Sequence, residues 1–240
     1  MIVKTSGVIL KEVKTQDSDK MLTVLTSDMG KIRVSAKHVR NSKKNSGVSF
    51  LSFSEFTLSE GKDIYFLRQA SVIESFYELS ENIEALSLAA YMAQLASEVT
   101  PEGDESGETL SLLLNTYYVL AKNKYDLKTA KLVFETKLME LHGMMPDFTA
   151  CSDCGKTEEV LFFDVNSGNV NCSDCASEGI MLNLTCQNLI SYIMNSDVKR
   201  VFSFKTNQET IDYLSPIIEK FCINQIGRTL KTLDYYKSII

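Results

Sequence analysis

Over the first eighty residues, apolar and polar positions alternate with a period of two between turn residues, the signature of antiparallel strands with one face buried. Residues 7–13 form one such run. Residues 21–26 and 31–36 flank Ser27-Asp28-Met29-Gly30, where Gly30 supplies the positive φ of a hairpin turn. Residues 53–58 and 64–67 flank Ser59-Glu60-Gly61-Lys62 in the same way, and residues 70–77 extend the ladder. About five short strands in so short a stretch predict a small closed barrel, because closure removes exposed strand edges.

Beyond Tyr77 the period changes to that of amphipathic helices. Leu88, Met92, Leu95, Ala96 and Val99 share one face, and Pro101 with Gly103 ends that helix. Leu110, Leu113, Leu114, Tyr117 and Ala121 form a second stripe, and Ala130, Val133, Phe134, Leu138 and Leu141 a third. Gly143 stands where a helix-terminating C′ residue belongs, with Pro146 just beyond. After Leu182 the helical spacing returns in Leu189, Ile190, Ile193 and Met194, then in Ile218, Phe221, Cys222, Gln225 and Ile226. Ser215-Pro216 fits an N-cap followed by proline at the first helical position, which starts the last helix there. Acidic residues 101–107 are the nearest approach to a linker, and no internal repeat interrupts the pattern.

Between the third and fourth helical stripes lie two Cys-x-x-Cys pairs, Cys151 with Cys154 and Cys172 with Cys175, separated by 17 residues. Two residues between cysteines let a tight turn aim both thiolates at one ion, and two such knuckles complete a tetrahedron around zinc. Asn166-Ser167-Gly168 is the hairpin turn that brings the knuckles together. Four thiolates leave no open coordination position, so one zinc held this way is structural and cannot activate water. A thioredoxin-like Cys-x-x-Cys follows a strand of a βαβ unit, whereas here the first knuckle follows a helix. Cys186 and Cys222 fall outside the pattern and read as core residues, and His142 reads as a helix-end residue.

Charge adds a second candidate site. The chain of 240 residues has a net charge of −6, which at first opposes a nucleic-acid partner. The imbalance is segregated: residues 1–80 carry +3 and residues 81–240 carry −9. From Met29 to Ser54 there is no acidic residue, while Lys31, Arg33, Lys37, Arg40, Lys43 and Lys44 are all present. Lys31 and Arg33 alternate on a strand and share a face, and the others run through the loop that follows. Such a strip either tracks a phosphate backbone, with Phe50, Phe53 and Tyr65 available for stacking, or protects a strand edge from aggregation.

Catalytic patterns are missing. Gly155-Lys156-Thr157 resembles the end of a phosphate-binding loop, but Ala150 stands where that motif requires glycine. No metalloprotease, dinucleotide-binding or serine-hydrolase motif occurs, so a non-enzymatic binding protein is expected. No run of apolar residues is long enough to span a membrane, and the lysine-interrupted start lacks a secretory core, which places the protein in a reducing cytoplasm.

The order of these parts resembles the bacterial RecO family of DNA repair and recombination proteins across nearly the whole chain. Gly7-Val8-Ile9-Leu10-Lys11, Asp17-Ser18-Asp19-Lys20 and Gly30-Lys31-Ile32-Arg33-Val34-Ser35-Ala36-Lys37 are similar to the family's N-terminal oligonucleotide-binding (OB) barrel. Phe134-Glu135-Thr136-Lys137-Leu138, Gly143-Met144-Met145-Pro146 and the Cys-x-x-Cys-Gly that follows resemble the helix leading into its zinc segment. Leu230-Lys231-Thr232-Leu233-Asp234-Tyr235 resembles its C-terminal end. His38 departs from the family's usual glycine, which bears on whether the turn there keeps a positive φ. The resemblance implies an α+β, multi-domain protein: an OB-type β-barrel over residues 1–80 that binds DNA, then an all-helical domain over 81–240 interrupted by a four-cysteine zinc-binding segment over 148–182. It implies a recombination mediator that acts at the bacterial nucleoid. Such a protein binds single- and double-stranded DNA, anneals complementary strands, engages single-strand-binding protein and helps load RecA together with RecR. The alternatives are an RNA-binding zinc module and a thiol/zinc redox switch.

Overall fold

The computed structural model describes residues 1–15, 19–37, 48–103, 106–157 and 161–240. Its first five strands are β1 (Ile2–Lys14), β2 (Lys20–Thr26), β3 (Lys31–Ala36), β4 (Phe53–Glu60) and β5 (Tyr65–Glu74). They close into a barrel in the order β1-β2-β3-β5-β4, with β3 and β5 parallel and the other neighbours antiparallel. The arrangement is OB-like, as expected. β1 is long enough to serve two partners, and Gly7 belongs to both ladders, opposite Ser54 of β4 and Thr26 of β2. A Cβ at Gly7 would lie 2.4 Å from the Leu25 carbonyl oxygen, so glycine is what lets β1 cross this close to β2. Alternation then sorts the side chains: Ile9, Leu22, Val24, Ile32, Val34, Phe56 and Leu58 fill the interior, while Arg33 on β3 and Glu55 on β4 point out.

The runs 64–67 and 70–77 are one strand. Leu67 pairs with Leu58 and Gln69 with Thr57, so Arg68 is an extra residue, a β-bulge. Arg68 and Gln69 are both exposed, which breaks the period of two without ending the strand. β5 stops at Glu74 because its carboxylate accepts the N–H groups of Ser75 at 2.9 Å and Phe76 at 3.2 Å, and Phe76 takes a left-handed φ of 46°.

Among the described residues a short 3-10 helix (Tyr77–Glu81) and six α-helices follow: α1 (Ile83–Val99), α2 (Gly107–Ala121), α3 (Leu127–Leu141), α4 (Leu184–Asn195), α5 (Gln208–Ile226) and α6 (Lys231–Ile239). Contacts divide the chain into two compact units, Met1–Lys124 with Leu230–Ile240, and Tyr125–Thr229. In the first unit α1 is the central helix. Asn82 caps it by accepting from the Glu84 and Ala85 amides at 2.9 and 3.1 Å, and Leu88, Met92, Leu95 and Ala96 are fully buried. Tyr117 of α2 lies buried beside it and donates to the Ala89 carbonyl at 3.3 Å, while Thr232 of α6 donates to Gln94 at 2.6 Å.

The second unit is built around α3, which is buried on most of its faces, charged residues included. Its end is a Schellman motif: Gly143, at φ 66°, donates to Glu140 at 2.8 Å and Met144 donates to Met139 at 2.8 Å, as the expected stop at Gly143 requires. α5 begins at Gln208, capped by Asn207, which accepts from the Thr210 amide at 2.9 Å. Ser215-Pro216 is therefore not its start. Pro216 sits inside the helix on the exposed face, where water can solvate the carbonyl that loses its helical partner. The cysteine segment forms a three-stranded sheet of β6 (Leu161–Phe163), β7 (Val170–Cys172) and β8 (Ile180–Leu182), in the order β7-β6-β8. The hairpin between β6 and β7 turns where expected, with Gly168 at φ 78°.

Candidate metal centre and nucleic-acid surface

Each cysteine pair sits on a turn fixed by its own backbone. The Gly155 amide donates to the Cys151 carbonyl at 2.9 Å, and the Cys175 and Ala176 amides donate to the Cys172 carbonyl at 3.1 and 2.9 Å. β7 carries Cys172 directly, and the Ser152 amide donates to the Val170 carbonyl at 2.7 Å, so the two knuckles are tied edge to edge. Lys156 of one knuckle pairs with Asp174 of the other at 2.5 Å. The four Sγ atoms all lie within 4.8 Å of one another, with Cys154 and Cys172 3.7 Å apart. A tetrahedron with Zn–S bonds of about 2.3 Å has S···S edges of about 3.8 Å, so the set fits zinc; a disulfide needs about 2.05 Å. Asn171 donates its side-chain amide to Cys151 Sγ at 3.8 Å, the kind of outer contact that steadies a thiolate ligand.

The thiols are electrically in conflict without a cation. Hydrogen bonds from the backbone amides of Cys172 and Cys154 draw the Cys151 pKa down to about 6, whereas hydrogen bonding with Cys154 and Cys172 pushes Cys175 up to about 12. A divalent ion eases that conflict, because every ligand then binds as thiolate and the ion offsets two of the four negative charges. Behind the knuckles Phe163 of β6 packs edge-on against Phe148 and at a tilt against Phe221 of α5, with ring centroids 5.1 and 5.2 Å apart, so the sheet that holds Cys172 is joined to the core of its unit. Cys186 and Cys222 are buried in that core, and burial raises both thiols, as a core role requires. His142 is the C-cap of α3 and is not in the cysteine group.

The basic strip is placed less evenly. Lys31, Arg33 and Lys37 fall on the outer side of β3 and its end, with Ile32, Val34 and Ala36 turned inward. Lys31, however, donates to the Ser97 carbonyl near the end of α1 at 2.6 Å, and burial pulls its pKa below the ordinary lysine value despite Glu102 and Glu98. Its ammonium is occupied by the fold. Arg33 is half exposed and meets Glu102 at 3.5 Å, an ion pair worth about 0–1 kcal/mol that a phosphate can displace. Lys37 is exposed. Arg40, Lys43, Lys44 and His38 lie outside the described residues. Of the expected stacking rings, Tyr65 packs against the barrel core. Among the described residues no helix is long and apolar enough to cross a membrane.

Two family models cover nearly the whole chain: "Recombination protein O N terminal" matches residues 1–76 and "Recombination protein O C terminal" matches residues 80–234. Among curated relatives, the DNA repair protein RecO of Alkaliphilus metalliredigens is 31% identical over 246 positions, covering 100% of both chains. The DNA repair protein RecO of Acetivibrio thermocellus is 30% identical over 243 positions, covering 99% of this chain and 97% of its own. That of Caldicellulosiruptor bescii is 31% identical over 242 positions and covers 99% of each.

Proposed function

This chain belongs to the RecO family, non-enzymatic mediators of DNA repair and recombination, and we propose on that footing that it binds single- and double-stranded DNA and anneals complementary strands. In the same reading it works with RecR to load RecA onto DNA coated by single-strand-binding protein. The observation that carries the DNA-binding part is the acid-free stretch, which runs along the outer side of an OB-like barrel as Arg33 and Lys37 and continues in sequence through Arg40, Lys43 and Lys44. Two polyanions repel until cations neutralise their phosphates side by side, and a strip of this kind does that for both strands. The four-cysteine centre holds one zinc in a closed, structural site, and its part is to keep the Tyr125–Thr229 unit folded.

Changing Arg33, Lys37 and Arg40 together to Ala tests this. Affinity for single strands of any sequence is expected to fall about equally, and the slope of log K against log salt to flatten by about 2, at roughly 0.7 per lost contact. Removing Lys199, Arg200 and Lys205, which lie in the acidic part of the sequence, is expected to change the slope less. A fluorescence titration at several salt concentrations reads both. An unchanged slope in a folded, zinc-loaded triple variant moves the DNA site off this strip, and equal affinity for RNA and DNA of the same sequence argues for an RNA-binding module instead.

A further inference from the structure

The outer face of the barrel carries a group that the basic stretch does not include. Phe66 of β5 is 36% exposed and stands opposite Ser35 of β3 on one side and Ser59 of β4 on the other, so its strand neighbours are short and polar. The ring is seated on backbone: a Cβ at Gly61 would lie 2.8 Å from Phe66 Cε2, so the glycine is what leaves room for it. Gly61 is itself held by donating to the Ile64 carbonyl at 3.0 Å, closing the tight turn beneath the ring.

Cations surround this seat. Arg68, turned outward by the bulge, is exposed and donates its Nε to Ser59 Oγ at 2.9 Å. Exposed Lys4 of β1 lies opposite Thr57 of β4, which in turn pairs with Gln69, the residue after Arg68. Lys37 leaves the end of β3 two residues past Ser35. Cations thus flank Phe66 on both sides across four neighbouring strands, with the carboxylates of Glu55 and Glu60 bounding the patch along β4. A rigidly seated ring among phosphate-binding cations is the combination that single-stranded nucleic acid uses, because every base offers a π-face and every nucleotide a charge. Duplex DNA keeps its bases stacked on one another and gains nothing from the ring.

We propose that Phe66 is a base-stacking platform for single-stranded DNA, and that Lys4 and Arg68 extend the phosphate track of Arg33 and Lys37 across β5, β4 and β1. The inference rests on the nucleic-acid reading given above and adds to it a means of preferring single strands over duplex.

The chain contains no tryptophan, so Phe66→Trp installs a single reporter at the platform. Binding of an oligothymidylate is expected to quench its fluorescence, and the quench is expected to persist in salt wherever binding does. Phe66→Ala is expected to weaken single-strand affinity about tenfold with the salt slope unchanged, since no charge is removed, and to leave duplex affinity within about twofold. Phe66→Leu keeps apolar bulk over Gly61 but offers no ring, and is expected to lose affinity like the alanine variant with an unaltered melting temperature. Lys4→Ala with Arg68→Ala is expected to flatten the single-strand slope by about 1.4. Full single-strand affinity in Phe66→Leu, or an unquenched Trp in the bound complex, overturns the platform while leaving DNA binding intact. Wild-type protein that binds no single strand overturns the nucleic-acid reading itself.

Discussion

Replacing Cys172 with serine is expected to take the protein from one bound zinc per chain to almost none and to unfold much of the unit spanning Tyr125–Thr229. Cys172 is fully buried, ends β7 and is 3.7 Å from Cys154 Sγ, so its loss opens the ligand set from inside the sheet. Structural zinc sites of this kind have apparent binding free energies of about 10–16 kcal/mol near neutral pH, and where no site exists in the unfolded chain that energy is folding energy. The strands freed by the change also carry Phe163, whose ring joins Phe148 to Phe221, so the damage reaches α5. Metal analysis of protein purified without added zinc, together with circular dichroism, measures the effect. Cys186→Ala and Cys222→Ala are expected to keep the zinc, because both thiols lie in the apolar core outside the cluster. Full zinc content in Cys172→Ser would remove the site from these four residues.

Lys131→Met is expected to destabilise the same unit by about 3–5 kcal/mol, the usual result of stripping one partner from a buried ion pair. Lys131 lies in the second turn of α3, with Nζ 2.9 Å from Glu135 of the same helix and 3.0 Å from Glu219 of α5. The Glu135 side chain is fully buried. Burial opposes the charge on Lys131, but the two carboxylates outweigh it and raise its pKa above the ordinary lysine value. The contribution of the group is therefore fully present below the normal lysine pKa and is lost only as pH rises through the raised one. Methionine fills the volume but takes the Lys131 ammonium from both Glu135 and Glu219, whereas Lys131→Met combined with Glu135→Gln removes the more deeply buried of the two carboxylates and is expected to recover part of the loss. Thermal melts of the single and double variants separate charge from packing. Equal destabilisation by both would assign the effect to packing alone.

The barrel was legible in the sequence because each strand has one face in the core, and the period of two follows directly from that. β2 and β3 lie within a residue of where the alternation puts them, and Gly30 makes the turn between them. The reading failed where an added residue upset the period, as at Arg68, and where a side chain ended the ladder, as at Glu74. α5 starts earlier than Ser-Pro suggests, because that pair is a strong local signal for a helix N-terminus; the cap is Asn207, and Ile211 and Leu214, in helical spacing with Ile218, carry the apolar face back to it. Periodicity also says that a segment is helical without saying what it packs on. α6 and α1 meet across more than a hundred residues of sequence through Gln94 and Thr232, a contact no local pattern encodes.

The four-cysteine cluster was legible for a different reason. Knuckle spacing is a direct record of ligand geometry, and the hairpin turn between the pairs supplies the closure. The basic strip was legible as composition but not residue by residue. Lys31 and Arg33 look equivalent in an alternating strand, yet only the fold reveals that the Ser97 carbonyl takes up the Lys31 ammonium. Phe66 is not distinguished in the sequence from Tyr65, one position earlier, which carries the same aromatic signal; the two faces of β5 separate only once the register with β4 is fixed.

Annealing of two complementary oligonucleotides by the purified, zinc-loaded protein, without nucleotide or magnesium and with single-strand-binding protein present and absent, tests the proposed function most directly. The proposal predicts acceleration over spontaneous annealing in both conditions, weakened by added salt and in the Arg33, Lys37 and Arg40 triple variant. Annealing no faster than the spontaneous rate, or acceleration only when ATP is supplied, would contradict it.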